Sequence, residues 1–149
     1  MRPTSPRRET TTRSSVSAGL GPIVFFDGVC GLCNRVVDVL LRADRTARLR
    51  FAPLQGDTAK RILPPRPPDT TGWSVIYVDE HGVHERTDAL LAVGGRLGGA
   101  WRLIAVLRLV PRPIRDALYR TIARHRYRWF GRRVACRVPS AHEGPRFLP

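Results

Sequence analysis

Asp27-Gly28-Val29-Cys30-Gly31-Leu32-Cys33-Asn34 follows the apolar run Ile23-Val24-Phe25-Phe26 and opens a segment with helical spacing. A short run made only of β-formers predicts a strand buried on both faces of a sheet. Past the cysteines, Leu32, Val36, Val39, Leu40 and Ala43 recur at helical spacing, with Asn34, Arg35, Asp38, Arg42 and Asp44 on the other face. The Cys-x-x-Cys pair therefore lies at a strand-to-helix junction. There the first cysteine meets unsatisfied N–H groups and the positive end of the helix dipole, both of which favour a thiolate. Cys30 is the expected nucleophile, more exposed and more acidic than its partner. Cys33, one turn later, is close enough to resolve a mixed disulfide on Cys30, and the two should bridge reversibly.

Outward from this junction, Leu49–Leu54 reads as a second strand and Asp57–Leu63 as a short helix. The breaker Pro64-Pro65-Arg66-Pro67-Pro68 ends it. Ser74–Val78 and Val83–Arg86 flank Asp79-Glu80-His81-Gly82, where the glycine permits a hairpin turn. Thr87 offers an N-cap to a helix from Asp88 toward Gly94. The order β-α-β-α-β-β-α, with Cys-x-x-Cys between the first strand and helix, is the thioredoxin arrangement, an α/β fold. Beyond it, Trp101–Val110 is expected as a buried helix. Pro113 to about Arg126 should be another, with Ile114, Ala117, Leu118 and Ile122 as its core stripe. Residues 1–20 read as a mobile basic leader, 21–137 as a single thioredoxin-like domain including Arg-rich C-terminal helices (about 99–130), and 138–149 as an irregular tail.

At 149 residues the chain can bury a core without disulfide staples. Its longest apolar stretch, Trp101–Val110, spans roughly 15 Å as a helix and cannot cross a bilayer core of about 30 Å. With no transmembrane segment and no secretory signal in view, the expected location is cytoplasmic. Three cysteines in a reducing compartment call for a chemical explanation. The net charge of +14 is concentrated: residues 96–137 hold twelve arginines against Asp116 alone, whereas 21–95 balance. Such a surface suits nucleic acid, anionic lipid or an acidic partner, or is simply solvated.

Alternatives stand beside the redox reading. A zinc site could draw on Cys30, Cys33, Cys136 and His125 or His142, and the cysteines could be plain apolar packing. Asp27 could shuttle a proton or orient the loop, although a carboxylate beside a thiol opposes its ionisation; it could equally accept backbone N–H groups in the turn. Cys136 is either a third redox-active thiol or a structural one. Trp101, Trp129 and Phe130 are expected in core or interhelix packing.

The segment Asp27–Asn34 closely resembles the motif that names the DCC family (DUF393) of thiol–disulfide oxidoreductases. Further segments are similar to the same family: Phe51-Ala52-Pro53-Leu54-Gln55, Arg86-Thr87-Asp88-Ala89, Pro111–Asp116, Tyr119, and His125–Gly131 with Cys136 beyond. The resemblance spans about Pro22 to Pro139. It implies a thioredoxin-like fold and protein-disulfide reductase activity; with the reading of the residues above, the expected catalytic residues are Cys30, Cys33 and Asp27, with no cofactor or metal. The expected substrate is a disulfide-containing protein or small thiol, with a thiol reductant of unspecified identity; the charge of the Arg-rich C-terminal helices, read apart from the resemblance, adds an expected weak contact with an anionic surface. Gly31-Leu32 lacks the proline found between thioredoxin cysteines, and Thr71-Gly72-Trp73-Ser74 stands where thioredoxins carry a cis-proline.

Overall fold

A computed structural model describes residues 19–149. The leader expected over residues 1–20 lies, up to Ala18, outside the described residues. Strand β1 (Ile23–Phe26) leads into helix α1 (Gly31–Ala43), β2 (Arg50–Pro53) and α2 (Asp57–Ile62). The hairpin β3 (Ile76–Asp79) and β4 (Gly82–Glu85) then precedes α3 (Arg86–Leu97), a 3-10 run over Gly99–Leu109, and α4 (Arg112–Phe130). The sheet order is β2-β1-β3-β4, with β1 parallel to β2 and antiparallel to β3, and β3 antiparallel to β4. This mixed sheet with its helices is a thioredoxin-like α/β fold.

All four residues of β1 are buried, and they alternate between two cores. Ile23 and Phe25 join Leu54, Ala59, Ile62, Ile76 and Val78 on the α2 side. Val24 and Phe26 join Val37, Leu40, Phe51, Tyr77, Ala89 and Val93 beneath α1 and α3. The period of two along a strand buried on both faces places β1 centrally, so the loop leaving it opens at the middle of the sheet edge. At the β3–β4 turn Gly82 takes φ +124, where a side chain would be strained.

Several expectations are corrected. In α1 the buried residues are Asn34, Val37 and Leu40, whereas Val39 is half exposed. Asn34 turns inward because its amide donates to Gly28 O (2.9 Å) and Cys30 O (2.7 Å). Helix α3 starts at Arg86, and Thr87 is no N-cap; its hydroxyl donates to Asp116 of α4. Trp101–Val110 is not a buried helix: Trp101–Leu109 lies within the 3-10 run, which buries none of its residues fully and crosses α3 at Gly94, where a Cβ would lie 3.0 Å from Trp101 O. The predicted core stripe of α4 faces out, with Ile114 and Leu118 about 60% exposed. Its inner face carries Asp116, Tyr119, Ala123, Arg126 and Tyr127. Trp129 and Phe130 are exposed, Trp129 stacking on His125.

After α4 the chain doubles back. Gly131 O accepts from Gly31 N (3.1 Å), Arg133 N donates to Val29 O (2.7 Å), and Cys30 forms an isolated antiparallel bridge with Arg132. The tail, expected as irregular, is pinned along β2. Phe147 stacks on Phe51 and meets Phe26 edge-on, while Leu148 N donates to Phe51 O.

Candidate active site

The junction after β1 is built as a cap. Cys30 is the N-cap of α1, and its Sγ accepts the Cys33 backbone N–H at 3.2 Å. Hydrogen bonding from the Cys33 side chain, followed by that N–H and the charge of Arg126, brings the Cys30 thiol down from 9.0 to about 7 against the opposing effects of burial and Asp27. The Cys33 thiol is pushed well above the ordinary range, first by its hydrogen bond to Cys30 and then by burial. Cys30 is thus the more acidic thiol. The expected order of exposure is reversed, however: Cys30 is wholly buried and Cys33 half-buried. The strap of residues 131–133 is bridged to the loop at Cys30 itself, through Arg132.

Asp27 is buried beside the pair with both carboxylate oxygens engaged. Oδ1 accepts from Gln55 Nε2 (2.6 Å) and Val29 N (3.2 Å), and Oδ2 accepts from Arg126 Nη2 (3.2 Å) and the Tyr127 hydroxyl. Gln55 also receives Gly28 N at 3.1 Å, fixing the loop. Burial, and then the bond to Asp27, push the Tyr127 phenol up, so it remains a donor. Arg126, 3% exposed, also donates to Thr70 O and Trp73 O. The Thr70–Trp73 segment is thereby tied to the site by an arginine.

Sequence reasoning passed over Gln55, Arg126 and Tyr127 as site residues. All three stand in the quoted family segments, and that is where a signal lay. Cys136 sits against Gly28, its Sγ 3.0 Å from where a Cβ there would be. Burial pushes its thiol up. Among the described residues, no three of His, Cys, Asp and Glu gather into a metal-binding group, so the zinc alternative finds no assembled ligand set.

A cleft of about 170 Å³ opens beside Cys33. Leu32, Val36, Val75, Leu90, Tyr119 and Ile122 form its apolar walls, and Asp27 and Arg126 also line it. It is comparable with an apolar cavity of about 150 Å³ that holds benzene, enough for one large side chain.

A family model described as DCC1-like thiol-disulfide oxidoreductase matches residues 24–132. The chain is 35% identical over 128 residues to the uncharacterized protein YuxK of Bacillus subtilis (strain 168), an alignment covering 85% of this chain and 93% of that protein. It is 34% identical over 120 residues to a chloroplastic DCC family protein, At1g52590, of Arabidopsis thaliana, covering 78% and 69% respectively. No solved structure matches.

Proposed function

Because the chain belongs to the DCC1-like thiol-disulfide oxidoreductase family, we propose that it is a protein-disulfide reductase in which Cys30 attacks, Cys33 resolves and Asp27 positions. The observation that carries the reading is the N-cap geometry of Cys30, with the Cys33 N–H held on its sulfur. The Cys30 thiolate attacks one sulfur of the substrate disulfide, whose other sulfur leaves as a thiolate and takes a proton. Cys33 then loses its proton and attacks Cys30 Sγ. That step frees the second substrate thiol and leaves a Cys30–Cys33 disulfide. Two electrons pass to the substrate, and an external thiol reductant returns the pair to its reduced form.

The cleft supports a protein substrate, since its volume accepts one apolar side chain flanking the attacked disulfide. Access to Cys30 requires the strap of residues 131–133 to lift. Asp27 acts through the loop, holding the Val29 N–H, Gln55 and Arg126.

The test uses single cysteine variants with a disulfide-bearing protein such as insulin. Cys33→Ser should accumulate a mixed disulfide that dithiothreitol dissolves, and Cys30→Ser should neither turn over nor trap. Adducts on Cys30→Ser with none on Cys33→Ser would name the wrong nucleophile. Full turnover by both variants would sink the redox reading.

A further inference from the structure

The large apolar side chains left exposed among the described residues are unevenly placed: nine of fourteen lie between Leu103 and Phe130. A surface of this kind in a soluble chain marks something that covers it. Its layout is specific. On α4 the exposed side is divided lengthwise, with Ile114, Leu118, Ile122 and Trp129 forming one stripe and Arg120, Arg124 and Arg128 the next. The 3-10 run repeats the mixture, exposing Leu103, Val106, Leu107 and Leu109 with Arg102 and Arg108. The arginines that hold the fold are different ones: Arg115 pairs with Asp88, Arg126 with Asp27 and Arg137 with Asp38 and Glu143. Arg102, Arg108, Arg120, Arg124 and Arg128 are exposed and have no acidic partner among the described residues.

We propose that the face formed by the 3-10 run and α4 docks on an anionic membrane surface. Aliphatic side chains next to unpaired arginines suit an interface in which leucines enter the acyl boundary and guanidinium groups hold headgroup phosphates. A nucleic acid would match the charge but give Leu103, Leu109, Ile114 and Leu118 no partner, since bases are held by stacking on aromatic and guanidinium planes. A second copy of this chain would bring one strongly basic segment against another. The attachment is peripheral, because no helix among the described residues is long and apolar enough to cross a membrane. Ile122 belongs both to the exposed stripe and to the wall of the cleft at Cys33. Docking therefore brings the cleft beside Cys33 next to the lipid surface.

Co-sedimentation of the full chain with phosphatidylcholine vesicles, and with vesicles also containing phosphatidylglycerol, tests this directly. Binding should require the anionic lipid and weaken as salt is raised. Arg124→Gln with Arg128→Gln should lower it about fivefold per arginine. Leu103→Glu with Leu118→Glu should lower it by about tenfold or more for each leucine, with thermal unfolding unchanged because both side chains are exposed. Equal binding to both vesicle types, absence of binding, or full binding by the leucine variant would overturn the proposal. So would displacement of vesicles by a short DNA duplex, or a dimer in vesicle-free buffer that the leucine variant converts to monomer.

Discussion

Two buried charges act on Cys30 in opposite directions. Arg126 favours its thiolate and Asp27 opposes it, with the Cys33 side chain and N–H setting the larger part of the shift to about 7. Labelling of Cys30 by iodoacetamide, followed by mass spectrometry of its peptide, should therefore rise with pH through a midpoint near 7. Cys33, whose thiol is pushed up, should stay slow over the same range. Asp27→Asn removes the opposing charge and should move the Cys30 midpoint to lower pH. A midpoint that stayed put or rose would remove Asp27 from the electrostatics of the pair and leave it a purely structural residue. The cap position of Cys30 was legible from spacing alone because the geometry is local: cap and first turn are contiguous. The partners of Asp27 were not, since Gln55, Arg126 and Tyr127 stand 28, 99 and 100 residues away.

At the scale of elements, the contact between α1 and the chain leaving α4 depends on an absent side chain. A Cβ on Gly31 would lie 2.1 Å from Phe130 O, a backbone atom that cannot swing aside. Gly31→Ala should push the strap off the loop, cost about 1–3 kcal/mol as an overpacked site, and raise the accessibility of Cys30. Denaturant unfolding and thiol labelling read the two effects, and an unchanged midpoint with unchanged labelling would show that the strap does not cover the thiol. The same region explains why one prediction of register failed. Hydrophobic periodicity assumes that a helix turns its apolar side to the core. Helix α4 instead turns Arg126, Tyr127 and Tyr119 toward Asp27, Thr70 and Val75, because what it covers is a polar site. Ile114, Ala117 and Leu118 are left outward and Ile122 reaches only the wall of the cleft, so the pattern on which the core stripe rested marked a face away from the core. Strand β1 and the hairpin were read to within a few residues because their burial pattern and turn chemistry act alone.

Across the whole molecule, the ion pair of Arg126 and Asp27 ties α4 to the first loop of the sheet, and both residues are almost fully buried. Arg126→Met should destabilise the chain by about 3–5 kcal/mol, because the change leaves a buried carboxylate without its cation. The double variant Asp27→Asn with Arg126→Met should recover part of that loss in denaturant titration, and strictly additive losses would show that the pair is not coupled. The strap has a kinetic meaning as well. Cys30 is wholly buried, and if the strap is what covers it, a reagent reacts only with molecules in which the strap has parted, so the observed rate is an opening equilibrium multiplied by the rate of the uncovered thiolate, as in native-state amide exchange. Each additional 1.4 kcal/mol or so holding the strap down would slow small oxidants and disulfide substrates alike by about tenfold. If the chain turns over as proposed, the hydrogen bonds at Gly131 and Arg133 would throttle that turnover through local unfolding, independently of the acidity of the sulfur.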